Sequence, residues 1–223
     1  GDHSDVSVSA GDSVIFKSIT GTVQLATESA NGNIDIRTGD SDSDSAGEIA
    51  IKAGASGSPT GSAVHIAGGA GAAVGGGVAI ESGKGSEGGA MSLSSGDGDV
   101  QGGALTFAAG GAATGGDVSV SAGSGSIAGG NTAVFGGDSV TGSGGELKLQ
   151  SGASGEGNSG AVQVGSAAAG VRSGDVSITT ATSKVSGSVL LSAGAAEMSA
   201  GDVHINGGAS SGKAGSVLIS SGE

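Results

Sequence analysis

An apolar–small–apolar triplet comes back along this chain at nearly constant spacing, and that recurrence limits the fold more than any other feature. Beginning at Ile34-Asp35-Ile36, it returns as Ile49-Ala50-Ile51, Val64-His65-Ile66, Val78-Ala79-Ile80, Met91-Ser92-Leu93 and Leu105-Thr106-Phe107. It continues as Val118-Ser119-Val120, Thr132-Ala133-Val134, Leu147-Lys148-Leu149, Val162-Gln163-Val164 and Val176-Ser177-Ile178. Val189-Leu190-Leu191, Val203-His204-Ile205 and Val217-Leu218-Ile219 complete the series. From one third residue to the next the step is 13, 14 or 15 residues. A glycine stands two residues before every triplet but one, where Ser62 follows Gly61.

Alternation with a period of two is the pattern of a β-strand with one face buried. A helix needs apolar residues three and four apart, and each interior glycine costs it about 1 kcal/mol. A second, weaker apolar station follows many triplets by six to eight residues: Val74, Val100, Ile127, Val140, Val171, Val185 and Met198. Two stations in a turn of about 14 residues describe a narrow coil that buries little alone and gains a core only when coils stack. The predicted fold is therefore all-β, a parallel β-solenoid of about sixteen coils of 13–15 residues. Residues 34–223 form its regular part, and residues 1–33 form irregular N-terminal coils of the same solenoid. There Val6-Ser7-Val8 and Val23-Gln24-Leu25 fit the triplet, with Ile15 and Phe16 in a long intervening segment.

Composition bears on whether such a chain orders at all. With 51 glycines in 223 residues and 1% aromatic residues, low complexity or disorder is the first expectation. A hydrophobic content of 35%, arranged in the repeat, argues for order instead. Glycine and serine then serve as tight corners, and alanine or serine fills an interior too thin for large side chains.

The formal charge of −13 disfavours nucleic acid and anionic membranes as partners, since both are recognised by lysine and arginine. No apolar run approaches the roughly 18 residues that cross a bilayer, and no basic-plus-apolar leader opens the chain. Gly1 in the place of methionine suggests a processed or excerpted chain. There is no cysteine, which excludes disulfides and thiolate metal sites. No Asn-x-Ser/Thr acceptor exists, although serine and threonine remain open to O-linked modification.

Candidate chemistry is sparse. His65 and His204 hold middle positions of triplets ten repeats apart and so cannot share a site, while His3 lies in the irregular start. A nucleophilic serine needs an adjacent base oriented by a third group, and none is foreshadowed. The recurring Gly-x-Gly fragments open no helix with Gly-Lys-Ser/Thr and carry no phosphate-loop meaning. Asp40, Asp42 and Asp44 alternate like the start of a calcium loop. The glycine expected at its sixth place and the glutamate at its twelfth are Ser45 and Ile51, so these aspartates mark a weak calcium site at most. No other cofactor is expected, and neither is catalysis. With no tryptophan or tyrosine and only Phe16, Phe107 and Phe135, the aromatic platforms of sugar binding are missing.

Two resemblances add to this reading. In coil length the chain resembles the grass type of ice-binding solenoid, but the middle residues from Asp35 through His65 and Lys148 to Leu218 do not make a threonine ladder. The style of Gly116-Asp117-Val118-Ser119-Val120-Ser121-Ala122-Gly123 resembles the Gly/Ser/Val-repeat proteins of diatoms and related algae. That resemblance implies a secreted or cell-surface fibrous protein without catalytic residues. Solenoid ends that carry no blocking helix expose strand edges, and head-to-tail contacts between them make filaments. The functional expectation is a non-enzymatic structural protein, a subunit or segment of an extracellular filament or surface fibre formed by end-to-end stacking. Ice binding or surface adhesion is the alternative, with ice or cell-surface polysaccharide as the partner.

Overall fold

Three residues past one triplet and two before the next, a pair of glycines comes together and closes the intervening chain into a loop. In the computed structural model, which describes residues 7–28 and 32–222, the Gly76 N–H donates to the Gly69 carbonyl at 2.8 Å. Gly89 does the same to Gly83 at 2.9 Å, and Gly103 to Gly96 at 2.9 Å. These three clasps belong to the first of two compact units, Gly1–Ala108. The second unit, Ala109–Glu223, carries five more: Gly116 to Gly110, Gly130 to Gly123, Gly145 to Gly137, Gly160 to Gly152 and Gly215 to Gly208, at 2.8–3.0 Å.

Each clasp makes the chain double back. Gly68 and Gly69 lie against Gly75 and Gly76, and the contact is close enough that a methyl group on Gly68 would run into the Gly76 carbonyl oxygen. Gly136 meets Gly145 in the same way. No glycine among the described residues adopts positive φ, so here the residue is needed for close approach and not for a left-handed turn. Between the clasping glycines the chain bends sharply, for instance at Ala72–Val74, Asp99–Val100 and Ser126–Ile127. Serine hydroxyls hold several bends by accepting a backbone N–H, as Ser139 does from Gly142 at 2.9 Å and Ser154 from Gly157 at 2.8 Å.

The triplets themselves are not paired. No helix and no strand occurs among the described residues, and no described side chain is buried. Surface bookkeeping agrees. A compact protein of 20.1 kDa exposes about 8,700 Å² and an extended one about 29,000 Å². This chain exposes 22,101 Å².

The parallel β-solenoid predicted from the repeat is therefore not the fold. Stacked coils would bond triplet to triplet at about 4.8 Å, across roughly 14 intervening residues. The chain instead closes loops of six to eight residues at its glycines, and a loop half as long costs about 0.6 kcal/mol less entropy to close. The second apolar station gives the plainest reason. Val74, Val100, Ile127, Val140, Val171, Val185 and Met198 were expected to face inward opposite the triplet. They sit at the bends and are all at least 85% exposed, Val100 and Ile127 completely so. With that station turned outward, a coil has no interior to share with its neighbour. The irregular solenoid coils expected over residues 1–33 fall with it, since the described part of that stretch, residues 7–28 and 32–33, holds no strand. Val6 and His3 lie outside the described residues.

Candidate functional site

Chemistry-bearing side chains are dispersed over the surface. His204 Nε2 lies 3.8 Å from the Asp202 carboxylate, beyond hydrogen-bond reach, and both side chains are exposed. It therefore lacks the short bond and the enclosing walls that a catalytic base needs. His65, in the first unit, enters no ion pair among the described residues, and His3 lies outside them. Arg172 makes a two-pronged contact to Asp175, 3.2 Å to each carboxylate oxygen, with both side chains about four-fifths exposed. Arg37 reaches Asp35 at 3.6 Å in a similarly open setting. Exposed pairs of this kind are screened by water and orient side chains without adding much stability.

Asp40, Asp42 and Asp44 are exposed along a bend in which the Asp44 N–H donates to Ser41 Oγ at 3.1 Å. Among the described residues no three acidic or histidine side chains gather in the way that holds a metal ion. Phe16 borders a shallow hollow of about 270 Å³ with Val23, Gln24 and Leu25, and almost all of that lining is apolar. Phe107 and Phe135 are open to solvent. The middle residues from Asp35 to Leu218, weighed in sequence as one outward face, belong to separate triplets that no sheet aligns. No helix among the described residues is long and apolar enough to cross a membrane.

What does recur is a surface module. A clasped loop ends at its donor glycine, and two residues later a triplet begins with its first side chain half covered and its third more open. Leu147 is 52% exposed and Leu149 74%, and the same order holds in every described triplet with two apolar ends. The loop tips differ in character. Those closed by Gly76, Gly103, Gly130 and Gly145 carry Val74, Val100, Ile127 and Val140. The tip closed by Gly89 carries Lys84 and Glu87, and the one closed by Gly160 carries Glu156.

The sequence signal for the donor glycine is the residue two places before each triplet. The acceptor was missed, although its signal is as regular. In all eight clasps it is a glycine three residues past the previous triplet. Ala167 and Ala181 occupy that place in two repeats, and neither repeat forms a clasp. Gly194 and Gly201 have the spacing without the bond, so the two glycines do not suffice by themselves.

Compared with protein-family models, with curated proteins and with solved structures, the chain matches none.

Proposed function

We propose that this chain is a non-enzymatic structural protein, a subunit or segment of an extracellular filament or surface fibre built from copies of itself. One observation carries the reading: every large apolar side chain of the described triplets from Ile34 onward stands exposed, at a repeat of 13–15 residues, along both units. Apolar surface repeated over a whole chain marks association, since a soluble protein working alone seldom exposes it in quantity. Burying a Val, Ile or Leu completely is worth about 1.5–3 kcal/mol, so even partial coverage of a few triplets outweighs the usual cost of association. The dispersed histidines and carboxylates support a role without catalysis. The resemblance of the Gly-Gly-Asp-Val-Ser-Val-Ser-Ala-Gly style to algal repeat proteins supports a place outside the cell or at its surface.

Sedimentation velocity and negative-stain electron microscopy over rising protein concentration test this directly. Growth of large, elongated species in moderate salt is the expected result. A chain that stays monomeric at every concentration, or one that facets ice crystals while monomeric, overturns it.

A further inference from the structure

We infer that the triplets of the second unit are sites of backbone pairing with a second copy of this chain. The inference rests on the self-assembly proposed above and names how it is achieved. Val118–Val120 lies between two glycine clasps, and neither it nor Val162–Val164, Val176–Ile178 or Val203–Ile205 has a strand partner among the described residues. Their N–H and C=O groups are in the condition of an uncovered sheet edge, which is a template for another chain. β-Branched residues at alternating positions favour that pairing over any other regular structure.

Three observations identify the partner as another copy. The first is spacing. Triplets recur 13–15 residues apart, and a second copy presents the same variable series, so several triplets are satisfied at once. The second is charge. The molecule carries −13, yet none of the eight triplets of the second unit contains a carboxylate, and Lys148 is their one fixed charge. Asp117, Glu146, Asp175 and Asp202 stand immediately before four of them. Repulsion therefore falls beside the pairing segments and not within them, where salt can screen it.

The third is area. The apolar end residues of those eight triplets, 48–85% exposed, give about 850 Å² of apolar surface, taking about 90 Å² for a fully bared Val, Ile or Leu. A stable protein–protein interface needs about 800 Å² from each partner. The loop tips have no part in this pairing, because the clasps already use the backbone at their base.

The experiment uses the full chain at high concentration in 0.5 M sodium chloride, with sedimentation reporting assembly and fibre diffraction reporting its backbone. Pairing predicts a reflection near 4.8 Å. A variant with Ser119→Pro, Gln163→Pro, Ser177→Pro and His204→Pro removes a backbone donor from four triplets and leaves the clasp glycines untouched. Its critical concentration should rise at least tenfold. A second variant, Ile127→Ser with Val140→Ser, alters only loop tips and should keep the reflection. Assembly without the 4.8 Å reflection overturns the pairing and leaves the structural role standing. Assembly indifferent to the prolines but abolished by the loop-tip variant overturns the assignment to triplets. No assembly under any condition overturns both.

Discussion

Two adjacent glycines, Gly136 and Gly137, differ in what a methyl group would meet, and replacing each by alanine tests the clasp as a physical object. A Cβ on Gly136 would be driven into the Gly145 carbonyl oxygen, and backbone has no flexible end with which to yield. A Cβ on Gly137 meets nothing within 4 Å, although Gly137 supplies the carbonyl that accepts the Gly145 N–H at 2.8 Å. Neither position has positive φ, so alanine is conformationally allowed at both. A hydrogen bond of this type contributes about 0.5–1.5 kcal/mol net, which slows exchange of the Gly145 amide by about two- to thirteenfold. Gly136→Ala should abolish that protection, whereas Gly137→Ala should keep it or raise it slightly, because alanine lowers the entropy of the open chain. Amide exchange measured by NMR on dilute protein, with Gly116 and Gly130 as internal references, gives the readout. Unchanged protection at Gly145 in Gly136→Ala, or equal loss in both variants, refutes the clasp.

Other consequences follow from the same surface. Because the charge of −13 opposes association, light scattering should show assembly at lower protein concentration as salt is raised, and again as pH falls toward the pI near 4.3. Low salt at pH 8 should keep the chain dispersed. Ile127→Ser should leave exchange at the Gly130 amide unchanged, since the Ile127 side chain is fully exposed and touches nothing that closes the loop. Arg172→Gln should likewise leave the amides of residues 170–176 unaltered, because its contact with Asp175 is open to water. Calorimetric titration with calcium should show binding no tighter than about 10⁻⁴ M, and Asp42→Asn should change it little.

How much of this was readable beforehand depends on the residue. The triplets were legible as a repeat, but the half-buried strands that alternation such as Val118-Ser119-Val120 predicts do not form. The donor glycines were legible as markers of a turn. The direction of the chain after the turn was not. A period of 14 counts residues and fits equally a coil that advances and a loop that doubles back. Gly69 and Gly76 decided between them, through a bond across seven residues that no apolar pattern encodes.

Val100 and Ile127 misled for a related reason. Apolar residues half a period from the triplet look like the far wall of a core, whereas here they sit at bends with no wall opposite. Of the candidate site residues, Asp40, Asp42 and Asp44 are exposed, and the Asp44 N–H donates to Ser41 Oγ. His65 and His204 hold the middle positions of their triplets, and both are exposed.

Hydrogen–deuterium exchange across the dilute chain, resolved to single amides, is the most direct test of bonding that stays inside each repeat. Protection should appear at the clasp donors from Gly76 to Gly215 and be absent at the triplets, Val118–Val120 and Val176–Ile178 among them. Strong protection at those triplets in monomeric protein would mean that successive repeats pair with one another, contrary to the fold described.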